Sequence, residues 1–246
     1  MELNEKEFVS ELLRVFKMNG LGGYLNTEKT AKFFSLTKRM LEENEKYNLT
    51  AIVEPKKIIL QHYADCAVLA DRLPKGASII DVGCGAGFPT LPLAIIRDEL
   101  DILAVDSTAK RINYVKETAE LLGLSNVRAE VMRAEDGARN DKYREKFDYA
   151  TARAVAEMRI LCELCLPYVK VGGAMLAMKG KNAEFELSGA KKAISLLGGG
   201  EVRVDTVSLE NGEGEPLTHP VISVKKKAKT PMAYPRAYAQ ISKKPL

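Results

Sequence analysis

The period of the apolar positions changes near Pro74. Before it, the spacing is helical: Phe8, Leu12 and Phe16 recur every four residues, and Gly20 ends the helix they predict. Asn26 or Thr27 caps a second helix, EKTAKFFSLTKRMLEENEKYN, which turns Phe33, Met40 and Leu41 inward. A third is expected from Lys56 to about Leu73, just before Pro74. Beyond Pro74, short apolar runs take over: ASIIDVG (77–83), DILAVD (101–106), NVRAEVM (126–132), FDYATARA (147–154) and GGAMLAMKG (172–180). Amphipathic helices alternate with them, one from Pro89 and others over 109–122, 157–168 and 184–197. Pro89 and Pro92 suit a first helical turn, where a missing N–H does no harm.

Strands alternating with helices predict an α/β fold, a parallel sheet with helices on both faces. The last two runs, EVRVDTVSL (201–209) and HPVISVKKK (219–227), have only the turn-rich ENGEGEPLT between them, so they pair antiparallel at one edge. The domain reading is a helical cap over 1–73, an α/β domain over 74–227 and a basic tail over 228–246.

DVGCGAGFP (81–89) sits directly behind the first sheet strand and holds Gly83, Gly85 and Gly87. A tight turn needs fewer glycines. Three at alternate positions suit a ligand lying against backbone N–H groups at a strand-to-helix junction. A nicotinamide fingerprint is G-x-G-x-x-G, whereas this loop is G-x-G-x-G, with Phe88 where the third glycine of the fingerprint falls. Asp106 ends the second strand, where a carboxylate accepts from both ribose hydroxyls of an adenosine. After the third strand, in RAED (133–136), Ala134 is small enough for a flat base to approach, and Glu135 or Asp136 accepts from an amine. Three aligned strand ends favour a nucleoside ligand without a pyrophosphate, and S-adenosylmethionine fits.

Charge adds a second partner. The 246 residues carry a net +4, yet Lys225, Lys226, Lys227, Lys229, Arg236, Lys243 and Lys244 fall in 221–246 with no acid among them. Removing those seven charges leaves −3 over 1–220, so a basic tail follows a mildly acidic body and suggests an anionic partner such as RNA. The charged start, MELNEKEFVS, lacks the apolar core of a signal peptide, and a cytosolic protein is expected. Cys162 and Cys165 form a lone CxxC in a helical run, read as core thiols. No metal site is expected from a chain whose only histidines are His62 and His219.

NLTAI (48–52), HYADC (62–66), DVGCGAGFPTLPLAI (81–95), VDSTAKRINYV (105–115), RAED (133–136), FDYATARAVAEM (147–158), LCLPYVKVGG and a terminal YPR…KKPL occur in one order. From about Asn44 to Leu246 the chain resembles the bacterial small-subunit ribosomal RNA guanine-N7 methyltransferases, historically the glucose-inhibited division B proteins. The resemblance implies the class I, Rossmann-like methyltransferase fold, seven strands with an antiparallel edge strand, behind a helical cap. It implies S-adenosylmethionine as cofactor, with Gly83, Gly85, Phe88, Ala134, Glu135 and Arg153 in contact with it and Asp106, Ser107 and Thr108 near its ribose. It implies one guanine in the decoding-region loop of 16S ribosomal RNA as substrate, free or in a small-subunit precursor, and a monomeric enzyme. Two features depart from the family: no Trp precedes the NLTAI block, and AYAQIS follows YPR where a glycine-containing link is usual.

Guanine N7 offers an in-plane lone pair and has no proton to lose, so methyl transfer to it needs positioning and no general base. In keeping with this, the fourth strand leads into TARAVAEM, not the Asn-Pro-Pro-aromatic motif of amino-methylating enzymes. Arg153 is the one charge in ATARAVA; a methionine carboxylate and a substrate phosphate are both open to it. His62 and Asp65, three apart, read as a buried pair bridging cap and core. The alternatives are a methyltransferase acting on another RNA or a small molecule, and an RNA-binding protein without catalysis.

Overall fold

The computed structural model describes residues 3–212 and 214–246; Met1 and Glu2, and Glu213 in the predicted turn, lie outside the described residues. Helix α1 (Glu5–Met18) starts where the Asn4 side chain accepts from the Glu7 N–H, and it buries Phe8, Leu12, Val15 and Phe16. In α2 (Thr27–Tyr47) it is Asn26 that caps, accepting from the Lys29 N–H at 2.8 Å. Phe33, Leu36 and Met40 point inward, and the Phe33 ring packs between Phe16 at 5.8 Å and Tyr63 at 4.7 Å.

The third expected helix is shorter and uneven. It comprises α3 (Pro55–Ile58), a π-helical stretch over Ile59–Ala64 and α4 (Asp65–Ala67), and only a 3₁₀ turn covers Ala70–Arg72. A π stretch inside a helix is frequent at functional sites, and nothing in residue periodicity announces one.

The α/β portion runs β1 (Ser78–Val82), α5 (Thr90–Ile96), β2 (Asp101–Asp106), α6 (Ala109–Leu121), β3 (Val127–Val131), α7 (Ala134–Arg139), β4 (Phe147–Arg153), α8 (Met158–Cys165), β5 (Val169–Met178), α9 (Ala183–Leu196), β6 (Gly199–Leu209), β7 (Leu217–Lys226) and α10 (Tyr238–Lys243). The seven strands lie in the order β3-β2-β1-β4-β5-β7-β6. Strands β1 to β5 pair parallel, and β7 runs antiparallel to both neighbours. The sheet is the expected one, with the antiparallel strand one place in from the edge and β6 outermost.

One apolar cluster joins Phe8, Phe16, Phe33 and Met40 to Leu91, Ile95, Ile112 and the sheet residues Ile79 and Ile102. The N-terminal helices therefore share a core with α5 and α6. A second cluster on the other face gathers Leu161, Cys162, Ala193, Ile222 and Ile241. Cys162 and Cys165 are buried free thiols, and burial pushes Cys162 up to about 12. Because Ile241 is in that core and Thr230 is buried, the segment expected to trail as a tail is packed on the body. Among the described residues no helix is long and apolar enough to cross a membrane.

Candidate active site

The glycine loop turns back on the sheet at once: the Gly83 and Cys84 N–H groups both donate to the Val105 carbonyl, at 2.8 and 3.0 Å. Its glycines have φ of +72°, +55° and +85°, a region that side chains strain to enter. They differ in what a Cβ would meet. At Gly83 it would stand 2.8 Å from Val155 Cγ2 and at Gly87 2.6 Å from Leu91 Cδ1, so close packing requires both. At Gly85 it would meet nothing within 4 Å; that position faces open space.

Beside the loop is a cleft of about 330 Å³ beyond the carboxyl ends of β1, β2 and β3. Gly83, Asp106, Ser107, Ala134 and Glu135 line it, as the strand ends predict. Asp106 Oδ2 accepts from the Gly85 N–H at 3.1 Å and Oδ1 from the Thr108 N–H at 2.8 Å, so Gly85 and Thr108 serve through their backbone. Arg111 reaches Oδ2 at 3.5 Å. Ala134 is held in place by the Tyr168 hydroxyl, which donates to its carbonyl at 2.6 Å. Of the two candidate acids after it, Glu135 is buried against the cleft and Asp136 is exposed. Sequence reasoning missed Val155, Leu164, Arg111, Arg133 and Tyr238, which also line the cleft. Tyr238 carried no signal at all, since it comes from the basic tail, whose charge suggests an anionic partner and not a nucleoside.

Asp81, at the head of the glycine motif, stays inside. Its carboxylate accepts from Thr90 Oγ1 at 2.6 Å and Thr151 Oγ1 at 3.2 Å. Burial raises its pKa to about 6 against those two hydrogen bonds.

Phe88 and Arg153 belong to a different structure. Arg153 Nη1 donates to Asp65 Oδ2 at 3.1 Å, and Nη2 lies 2.8 Å from His62 Nδ1. A guanidinium has no acceptor. His62 Nδ1 therefore accepts, and its Nε2–H faces Thr50 Oγ1 at 3.0 Å. Burial, and then the Arg153 charge, lower His62 to about 4, so the ring is neutral. Asp65 also holds His219 of β7. Burial opposes charge on His219, but the Asp65 hydrogen bond and charge outweigh it and raise its pKa. The Phe88 ring stacks on His62 at 4.2 Å, with the Arg153 guanidinium 5.8 Å from its centre. Phe88 and Arg153, expected as cofactor contacts, are not among the residues lining the cleft; the structure places them at this junction, where the Asp65 carboxylate and the His62 imidazole of the cap take up the guanidinium. The pairing expected of His62 and Asp65 is indirect: both converge on Arg153.

The family described as GidB, rRNA small subunit methyltransferase G, matches residues 29–213. This chain belongs to it. It is 45% identical over 230 residues to the ribosomal RNA small subunit methyltransferase G of Clostridium perfringens strain 13, covering 93% of this chain and 95% of that one. The enzyme of the same name from Acetivibrio thermocellus is 39% identical over 248 residues, 99% of this chain and all of that one. Among solved structures, the Bacillus cereus O-methyltransferase in complex with SAH superposes with a TM-score of 0.54 at 19% identity, over 78% of this chain and 91% of that one. That likeness is one of fold.

This chain distributes its C-terminal basic residues in three ways. Lys226 is 1% exposed and donates to the Leu166 carbonyl at 2.7 Å and to Thr230. Arg236 is clamped by Glu163, which accepts from its backbone N–H and from Nη2, each at 2.7 Å. Neither is free for RNA phosphate, which corrects both expectations; each side chain answers a buried polar group instead. Lys225, Lys227 and Lys229 are exposed, but β7 runs away from the cleft edge. Val221 pairs with Met178 and Lys225 with Ala174, which carries Lys225 about 13 Å toward the opposite edge. Lys243 and Lys244 are exposed on the segment that brings Tyr238 to the cleft.

Proposed function

We propose that this chain transfers a methyl group from S-adenosylmethionine to N7 of a guanine in 16S ribosomal RNA. The observation that carries the reading is the cleft at the carboxyl ends of β1 to β3, lined by Gly83, Asp106, Ser107, Ala134 and Glu135, with the Gly85 N–H on the Asp106 carboxylate. A carboxylate offers about four acceptor sites. Two backbone N–H groups orient Asp106 and leave capacity for ribose hydroxyls. Ala134 gives a small face to a purine and Glu135 an acceptor beside it. The residues fit the group.

When bound, the cofactor supplies an electrophilic methyl carbon on a sulfonium. The chain's part is to hold nucleobase and donor in line and to exclude water. Both histidines are already engaged, His62 between Arg153 and Thr50 and His219 on Asp65, so neither stands free as a base. That supports an acceptor with no proton to lose. At the cleft mouth Arg133 and Arg111 keep 63% and 51% of their side chains exposed, where RNA phosphates would approach.

The test offers purified protein and labelled S-adenosylmethionine to naked 16S RNA and to small subunits lacking the modification. Borohydride reduction and aniline should then cleave the RNA at a single guanine. Label on a ribose or an exocyclic amine would overturn the N7 assignment.

A further inference from the structure

We propose that Tyr238 is a cofactor contact: the C-terminal segment, folded back over α7 and α8, completes the nucleoside end of the cleft with an aromatic ring. The assignment rests on the cofactor reading above.

The path of the segment is set by side chains of the body. The Arg144 guanidinium donates to the carbonyls of Thr230 and Tyr234, both at 2.8 Å, and of Pro231 at 3.2 Å. Arg139 Nε donates to the Pro235 carbonyl at 2.9 Å. Glu163, which is fully buried, then takes both the backbone and the guanidinium of Arg236. Backbone carbonyls held this way leave the chain from 230 to 236 little freedom, and Ile241 anchors it again in the core. Tyr238 falls between the two anchors.

The same body elements build the cleft. Helix α7 places Ala134 and Glu135 on the cleft at its start and Arg139 on the segment at its end. On α8, Glu163 grips the segment while its neighbour Leu164 lines the cleft. Tyr238 is thus referenced to the residues that would meet the base. Tyr238 is 42% exposed, so part of it is open to a partner. Ala134 has no bulk to fill the opening, whereas a tyrosine ring offers a flat apolar surface and loses few rotatable bonds when it is covered.

Calorimetry with S-adenosylhomocysteine on the full chain tests this, supported by hydrogen exchange at amides 237–243. Tyr238→Ala should bind about tenfold more weakly, the effect of losing one base–aromatic stack, with an unchanged thermal transition. Tyr238→Phe should bind as the wild type does, and ligand should slow exchange at 237–243, because coupling between ligand and segment is reciprocal. Wild-type affinity in Tyr238→Ala, or a phenylalanine variant as weak as the alanine one, overturns the stacking role while the cofactor reading stands. A wild-type chain that does not bind the ligand overturns both.

Discussion

The carboxyl edge of the sheet carries two polar regions that differ in how they are completed. In the cleft, Asp106 is oriented by the backbone N–H groups of Gly85 and Thr108 and lines open volume. At the cap junction, Arg153 is shared by Asp65 and His62, His62 is further bonded to Thr50, and Asp65 to His219. Charged residues at strand ends thus do two jobs in one fold. Asp106 lines an open cleft, and Arg153 fastens an extra layer of helices to the sheet. Which job a residue does follows from its partners: a buried charge is stable only when paired, and once paired it has little left to offer a ligand.

The largest expected effect breaks the junction. Arg153→Met leaves the buried Asp65 carboxylate with His219 alone and removes the donor to His62, and it should lower unfolding stability by about 3 kcal/mol in urea titration. Affinity of the folded protein for S-adenosylhomocysteine should change less than twofold. A large loss of affinity at unchanged stability would return Arg153 to the cofactor site and erase the distinction between the two regions.

Gly85→Val should do the reverse. Left-handed strain costs about 1–2 kcal/mol in the denaturation curve, while cofactor affinity falls beyond detection by calorimetry, because the branched side chain fills the open space. Wild-type affinity would mean that the loop is only a turn.

The two junction histidines should separate by pH. His219 has a raised pKa, so its contribution is complete below pH 6.5 and is lost as pH rises through its folded value. The penalty of His219→Gln should therefore be larger at pH 6 than at pH 9. His62, lowered to about 4, stays neutral when folded while the unfolded chain takes up a proton below pH 6.5. Its contribution falls by about 2 kcal/mol between pH 6.5 and 5, so the penalty of His62→Gln shrinks as pH drops. Penalties that move in the same direction would contradict the hydrogen-bond assignment.

The smallest effect concerns RNA. Replacing Lys243 and Lys244 by Ala should make the log-affinity against log-salt slope for 16S RNA shallower by about 1.4. Replacing Lys225, Lys227 and Lys229, on the far edge, should leave it unchanged. The opposite pattern would move the RNA face away from the cleft.

Local periodicity and turn chemistry were enough for the sheet, its helices and the strand-end positions of Gly83, Asp106 and Ala134, because those depend on residues close in sequence. The π-helical stretch at Ile59–Ala64 had no such signature. Nor did the sequence separate Gly85 from Gly83 and Gly87, since all three need positive φ and only the packing of Val155 and Leu91 against them distinguishes them.

By itself, then, the sequence determined that this is an α/β methyltransferase chain with a glycine loop, an acid at the end of β2 and a surplus of C-terminal positive charge. Tertiary structure alone decided what each charge does. Lys226 and Arg236 look in sequence like Lys243 and Lys244, yet one is buried against the Leu166 carbonyl and the other is held by Glu163. Arg153 is drawn to a carboxylate 88 positions earlier in the chain. The physical reason is that a charge is governed by the groups within a few ångströms of it, and in a folded chain those groups come from anywhere along the sequence.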